Sequence, residues 1–290
     1  PQILDVVATW PKQTILMQED LLNKTKTYYD SQDADEFYHT IWGGEDIHIG
    51  IYQDGMSIRE ASRKTVEMMA DLLPGIDTDT HLLDMGAGYG GAARYLAQRY
   101  GCQVDCLNLS TTENARNEEK NKAAGLADKV KVIEGNFETM PFEDASYDIV
   151  WSQDAILHSN QKRKVIGEAH RILKPGGILI FSDPMQADNC PDGVLQPVLD
   201  RIHLEEMGSV AAYKQYADAL NMKEERIMEL PEQLVNHYSN VLHGLNQHYE
   251  EVIQKSSQEY VDKMKAGLQH WIEAGKKGYL NWGILIFRKK

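Results

Sequence analysis

His81-Leu82-Leu83-Asp84-Met85-Gly86-Ala87-Gly88-Tyr89-Gly90-Gly91 brings two apolar residues to an acid and then sets four glycines within six positions. A buried strand that breaks into a side-chain-free turn ahead of a helix has this composition. Glycine is required where the backbone takes left-handed dihedrals or approaches a ligand closely. The helix that follows directs its unpaired N–H groups into the turn. The stretch predicts a nucleotide-like cofactor site, and the identity of that cofactor decides the function.

On either side, strand and helix patterns alternate. His81–Met85 is followed by a helix carrying Ala92, Ala93, Leu96 and Ala97, then by a strand over Gln103–Leu109. Ser110 and Glu113 predict a capping box at the next helix. Further strands are expected at Val130–Glu134, Tyr147–Trp151 and Ile178–Phe181, with a helix from Lys162 to Leu173 that stops at Lys174-Pro175-Gly176-Gly177. Ile178–Phe181 is continuously apolar, as a strand covered on both faces must be. Repeated β-α-β units predict an α/β fold with a parallel, doubly wound sheet.

The flanks differ in character. Residues 1–56 hold a helical pattern over Gln13–Tyr28, an acidic stretch, and a segment over Phe37–Tyr52 that mixes aromatics, histidines and glycines without a clean period. Such backbone often lines a site, although a surface cap whose aromatics simply pack down has the same composition. Ser57 and Glu60 predict a capping box opening a helix to about Leu73. After Asp183 the alternation breaks into a loop with Pro184, Pro191 and Pro197. Helices follow around Val198–Met207 and Ala211–Asn221, then a short strand at Ile227–Leu230, two long helices and a terminal strand at Gly283–Phe287. One domain over 1–290 is expected: a front lid at 1–56, a cofactor-binding core at 57–183, and substrate-pocket helices with the last strands at 184–290.

The 290 residues are 42% hydrophobic and 26% charged, ordinary for a globular chain with a full core. A formal charge of −14 argues against nucleic acid or an anionic membrane as partner. Cys102, Cys106 and Cys190 make neither a metal-ligand spacing nor a disulfide framework, so no metal is expected. No apolar run approaches spanning length and no leader pattern is evident, which points to a reduced, cytoplasmic setting.

Gly86, Gly88 and Gly91 satisfy the dinucleotide fingerprint G-x-G-x-x-G. A nicotinamide-dependent oxidoreductase therefore fits the glycines, as does a module that only binds a nucleotide. Asp84 opposes a pyrophosphate, whose charge is of like sign, and suits a cationic amino-acid head. S-adenosylmethionine presents one, with an ammonium, a sulfonium and no phosphate.

Asp84-Met85-Gly86-Ala87-Gly88 resembles the first motif of the class I S-adenosylmethionine-dependent methyltransferases. The resemblance continues through Leu107-Asn108-Leu109-Ser110, Gly135-Asn136-Phe137, Pro141-Phe142, Tyr147-Asp148-Ile149-Val150 and Leu173-Lys174-Pro175-Gly176-Gly177, over about residues 80–185. Tyr28-Tyr29-Asp30, the Phe37–Tyr52 segment and Asp154-Ala155-Ile156-Leu157-His158 are similar to the small-amine N-methyltransferases, including the phosphoethanolamine enzymes. Among these the chain most resembles the sarcosine/dimethylglycine N-methyltransferases, which make glycine betaine. The resemblance implies a Rossmann-like sheet of seven strands, the last one antiparallel, with an N-terminal helical cap and helical insertions. It also implies a small-molecule amine substrate, S-adenosylhomocysteine as the second product, and a monomer or homodimer.

Carried over by position, the resemblance has Gly86, Ala87 and Gly88 cradle the methionine part, with Asp84 facing its ammonium. Asn108 stands where the family usually has an acid for the ribose hydroxyls, and Asn136 where an aspartate often faces the adenine amine. Leu109, Ser110 and Phe137 would surround the adenine, and Gln153 would lie under the sulfonium. Tyr29, Trp42 and the backbone at Gly50 would cover the cofactor from the front. Free aliphatic amines are protonated at neutral pH, so a base or a desolvated pocket is needed. His158 is expected to take that proton while Tyr29 orients the amine. A histidine at a helix start is as often satisfied by backbone. A quaternary ammonium product is held by aromatic faces, with Trp42, Tyr29 and Tyr213 as candidates. Pro184 and Met185 would border an N-methyl pocket, and Arg201 and His203 are sequence candidates for the substrate carboxylate.

Overall fold

The computed structural model describes residues 26, 27, 30, 33, 37, 41–202 and 204–290. Tyr29 and His203, and the side chain of Arg201, lie outside the described residues. The strands are β1 His81–Met85, β2 Gln103–Asn108, β3 Val130–Glu134, β4 Tyr147–Gln153, β5 Leu173–Gln186, β6 Lys223–Glu229 and β7 Leu280–Arg288. They form one seven-stranded sheet in the order β3-β2-β1-β4-β5-β7-β6. The pairs among β3, β2, β1, β4 and β5 are parallel, and β7 runs antiparallel between β5 and β6. The doubly wound sheet with an antiparallel last strand is therefore present.

The helices are α1 Ile58–Asp71, α2 Gly91–Tyr100, α3 Thr111–Ala123, α4 Lys162–Ile172, α5 Gln196–Ile202, α6 Val210–Ala219, α7 Pro231–Gln247, α8 Tyr249–Lys255 and α9 Gln258–Lys276. Strand side chains alternate between faces. Leu82, Ile149, Trp151 and Ile180 thus pack against α1 and α2 on one side, with Trp271 of α9 in the same cluster. Leu83, Val150, Leu179 and Phe181 meet α4 and α6 on the other. A third cluster joins Phe37, Ile41 and Trp42 of the front segment to α7, α8 and α9.

Several boundaries differ from the sequence expectation, each for a tertiary reason. β4 continues past Trp151 to Gln153 because β5 pairs alongside it as far as Ser182. β5 runs through Pro184 and Met185, which were expected in a loop. Beyond Ser182 only β7 lies beside it, so a proline that cannot donate is tolerated on the open side. β7 spans nine residues rather than five, and β6 begins four residues earlier than expected. The Ser57–Glu60 capping box forms in full, with Glu60 N donating to Ser57 Oγ and Ser57 N to Glu60 Oε2. At α3 only half forms: Ser110 Oγ accepts from Glu113 N at 3.1 Å, while Glu113 Oε2 accepts from Asn108 Nδ2 at 2.9 Å. All three cysteines are free thiols.

The front segment is bound down by charge. Arg94 of α2 is buried and donates to Glu45 Oε1 at 2.6 and 2.9 Å, to Asn117 Oδ1 and Asn121 Oδ1 of α3, and to the Tyr89 carbonyl at 2.5 Å. This explains why α3 buries asparagines rather than apolar side chains. Lys120 adds a second cation to Glu45 at 2.9 Å. Removing one partner from a buried charged network strands the others, at about 3–5 kcal/mol. Arg94→Met is therefore expected to lower the urea-unfolding free energy by about 3 kcal/mol or more; an unchanged midpoint and slope would contradict this role.

Candidate active site

The glycine turn lies beyond the C-terminal end of β1, where open α/β sheets bind ligands. Gly86, Gly88 and Gly90 have φ of 78°, 51° and 74°, left-handed values that side chains rarely adopt. A Cβ on Gly86 would collide with Ala155, one on Gly90 with Asn117, and one on Gly91 with Asp46 and the Glu45 carbonyl. The turn is thus packed from behind by the structure around it and from in front by residues 45–47.

Two adjoining cavities open on this turn. The first, about 320 Å3, is lined by Glu45, Asp46, Ile47 and His48 from the front segment, by Asp84, by the turn, and by Gln153. The second, about 760 Å3, runs past Asn108, Leu109, Ser110, Asn136 and Phe137 to Gln153, Asp154 and His158. The structure brings together Asp84, Gly86, Ala87, Gly88, Asn108, Leu109, Ser110, Asn136, Phe137, Gln153 and His158 around this pair of cavities.

Other expected residues sit elsewhere. Trp42 and Gly50 lie behind the cavity wall: Trp42 Nε1 donates to the His48 carbonyl at 3.3 Å and its ring lies 4.7 Å from that of His237. Gly50 N donates to His237 Nδ1 at 3.0 Å. Met185 and Tyr213 are fully buried in the core cluster that holds Phe181, and Pro184 is paired in the sheet opposite Trp282. None of the three lines either cavity.

The first cavity has a distinctive charge. Asp46 and Asp84 are both buried, and burial together with their mutual repulsion pushes Asp84 up to about 7; burial chiefly pushes Asp46 up to about 6. Asp46 Oδ2 meets Arg63 at 2.9 Å, but its Oδ1 has no hydrogen-bond partner among the described residues. His48 Nδ1 faces the Ile49 carbonyl at 3.2 Å, which places the proton there and leaves the buried, unpartnered Nε2 as an acceptor. Burial lowers its pKa to about 4, so the ring is neutral. Gln153 accepts from Trp151 Nε1 through Oε1, leaving its buried amide N–H groups unpartnered. Asp46 Oδ1 and His48 Nε2, acceptors without a donor among the described residues, stand with the Asp84 carboxyl around this cavity, a set that suits a cation with several N–H groups.

The second cavity ends at a turn held from several sides. Asp154, at φ 52°, accepts from Ile49 N at 2.6 Å, Ser182 Oγ at 2.7 Å and Trp282 Nε1 at 2.8 Å, tying the front segment to β5 and β7. Burial raises its pKa, with His48 offsetting part of the effect. His158 closes the single 3-10 turn Ile156–His158 and is partly exposed to the cavity. Surrounding protein lowers its pKa to about 4, and nearby Lys162 adds to the shift. At the other end Asp30 accepts from Ser110 Oγ, Thr111 Oγ1 and Thr112 N, and Lys26 donates to the Leu109 carbonyl and to Glu134. These contacts hold the front segment against the second cavity, whose wall includes Lys26.

Sequence reasoning missed Asp46, His48, Glu113, Glu138 and Asp154 as cavity residues. Glu113 is the instructive one. An acid stands five residues after Asn108 and lines the second cavity, its carboxylate held by the Asn108 amide itself. The incomplete capping box conceals it, because a glutamate three residues after a serine is ordinarily read as a helix signal. Among the described residues no group of His, Cys, Asp or Glu is arranged to hold a metal, and no helix is long and apolar enough to cross a membrane.

A family model described as a methyltransferase domain matches residues 83–181. A sarcosine/dimethylglycine N-methyltransferase of Halorhodospira halochloris is 49% identical over 272 residues, covering 93% of this chain and 98% of the relative. One from Aphanothece halophytica is 54% identical over 223 residues, 77% of this chain and 80% of the relative. A solved Galdieria sulphuraria structure, described as a candidate sarcosine dimethylglycine methyltransferase, superposes with a TM-score of 0.87 at 46% identity, covering 91% and 99% of the two chains.

The raised Asp84 carboxyl makes a signed prediction. Its proton is kept in the native state but lost from the unfolded chain between about pH 4 and 7. This contribution to stability therefore falls as pH rises through that window. Asp84→Asn cannot lose a charge it lacks, so the unliganded variant should gain stability over wild type as pH rises, on the order of 3 kcal/mol above pH 7. Denaturant unfolding at pH 5 and pH 8 checks this; an advantage that shrinks with pH would refute it.

Proposed function

The chain belongs to the family of the sarcosine/dimethylglycine N-methyltransferases, and from that premise we propose that it methylates sarcosine or dimethylglycine on nitrogen, towards glycine betaine. The observation that carries the cofactor assignment is the pair of buried carboxylates, Asp46 and Asp84, lining the cavity at the glycine turn, with Asp46 Oδ1 unpartnered among the described residues although Oδ2 pairs with Arg63. A pyrophosphate would be repelled there, so a nicotinamide dinucleotide does not fit. S-adenosylmethionine fits. Asp84, Asp46 Oδ1 and His48 Nε2 would hold its ammonium, and the Gln153 amide would hold its carboxylate. Asn108 and Glu113 suit the ribose hydroxyls, while Leu109, Asn136 and Phe137 suit the adenine.

Bound S-adenosylmethionine supplies a methyl group already activated on a sulfonium, so transfer to an amine is a direct displacement. The protein's work is then alignment, exclusion of water and provision of a free lone pair on nitrogen. His158 lines the second cavity with an uncharged imidazole and is assigned the role of accepting the proton that masks the amine. Tyr29, on the front segment, is proposed to orient the amine against it. Along the chain, the division proposed is 1–56 as the lid and 57–183 as the cofactor core, while none of the described residues of 184–290 lines either cavity.

Assay of the purified chain against glycine, sarcosine, dimethylglycine and phosphoethanolamine should give methylation of sarcosine and dimethylglycine, with mass spectrometry reading betaine. Transfer only to phosphoethanolamine would overturn the substrate assignment. His158→Ala should lower kcat by about 100-fold or more while leaving S-adenosylhomocysteine binding intact. Asp84→Asn should weaken that binding by about ten-fold at pH 8, where the wild-type carboxylate is charged, and by less at pH 5.5, as read by calorimetry.

A further inference from the structure

Asp183 is fully buried towards the end of β5 and lines neither of the two cavities. Both its oxygens are engaged. Oδ1 accepts from the backbone N–H of Leu157 at 2.9 Å, and Oδ2 accepts from the Tyr213 hydroxyl at 2.5 Å. Tyr213, on α6, is fully buried with its ring edge-on to Phe181, 5.0 Å between centroids. Leu157 is the middle residue of the 3-10 turn that ends in His158.

A turn of three residues is held weakly by its own hydrogen bonds, and its leading N–H groups have no partner within it. Here His158 N bonds back to the Ala155 carbonyl and Ser159 N to the Ile156 carbonyl, but Leu157 N depends on Asp183. The following residue is fixed as well. Ser159 Oγ donates to Glu138 Oε1 at 2.5 Å, and the buried Lys162 Nζ bridges the Ser159 and Glu206 carbonyls at 2.7 and 3.1 Å. Burying a carboxylate is costly, and packing alone would be served by an apolar residue. Burial raises the Asp183 pKa to about 7, the mark of that cost. What it provides in return is a rigid acceptor aimed at one backbone N–H.

We propose that Asp183, aligned by the Tyr213 hydroxyl, is a positioning residue for methyl transfer that sets the turn carrying His158. The proposal rests on the reading of His158 as proton acceptor. Tyr213 thereby acts on the reaction from within the core, through one carboxylate and one backbone N–H, instead of touching substrate. Without its hydroxyl the Asp183 carboxylate is free to rotate, and the turn loses its alignment. Misplacement of a reacting group by about 1 Å costs on the order of 100-fold in rate.

The test uses the full chain with Tyr213→Phe, Asp183→Asn, Asp183→Ala, His158→Ala and the Tyr213→Phe/His158→Ala double variant. The readouts are kcat and KM for dimethylglycine at saturating S-adenosylmethionine, the Kd for S-adenosylhomocysteine, and the melting temperature. Tyr213→Phe should lower kcat by about ten-fold or more, with KM and Kd within about two-fold of wild type. Asp183→Asn keeps an oxygen for Leu157 N–H and should stay within about three-fold of wild type, while Asp183→Ala should fall about 100-fold. In the double variant the Tyr213 change should add nothing to the loss from His158→Ala. Wild-type kcat in Tyr213→Phe, multiplying losses in the double variant, or equal damage from Asn and Ala at 183 would each overturn the proposal. If Asp183→Ala fails to fold, the Tyr213/His158 cycle still decides it. Normal turnover in His158→Ala would overturn the reading of His158 and the proposal with it, an outcome separate from the others.

Discussion

The Arg94 guanidinium is the interaction on which the cofactor side of this molecule depends. It reaches the carbonyl of Tyr89 inside the glycine turn, two asparagines of α3 and the carboxylate of Glu45 in the front segment. Because Glu45 is held there, Asp46 is pressed against Gly91 and Ile47 against Gly88. The turn then has a lid of backbone and carboxylate rather than open solvent. A guanidinium with five fixed donors can serve several acceptors at once, which an ammonium on a flexible stem does less well.

From that arrangement follows an electrostatic division within one cleft. The carboxyls of Asp46 and Asp84, both pushed up by burial, share the first cavity with His48, whose imidazole resists protonation as do those of His158 at the second cavity and of His237 behind the wall. The first cavity thus combines carboxyls with a neutral acceptor, and the second carries the uncharged imidazole of His158. The same burial that makes the unliganded site costly is what makes its charges effective once a ligand replaces water.

Much of the core was legible because its signals are local. The strand–glycine–helix stretch at 81–91, the alternation through β3 and the Ser57–Glu60 cap rest on side-chain period, glycine dihedrals and short-range hydrogen bonds. That residues from Asp84 to Gln153 line the two cavities follows from the same stretch, since the ends of parallel strands gather at one edge of the sheet. Pro184, Met185 and Tyr213 were misplaced for the opposite reason. Whether a proline continues a strand depends on a neighbour about a hundred residues away, and Trp282 of β7 supplies it. Tyr213 has the composition of a ligand-facing aromatic, yet its hydroxyl is taken by Asp183 in the interior.

The order of residues alone determined a doubly wound sheet, a glycine-cradled ligand and a preference for a cationic head, because each follows from contacts within a few positions along the chain. Tertiary structure decided which acids and imidazoles share the cleft. Glu45 to Arg94, Ile49 to Asp154 and Asp183 to Tyr213 span 49, 105 and 30 positions. No local period encodes such pairings. They arise when burial drives polar groups to find partners, and of the buried side-chain atoms left without one among the described residues, Asp46 Oδ1, His48 Nε2 and Gln153 Nε2 belong to residues that line the first cavity.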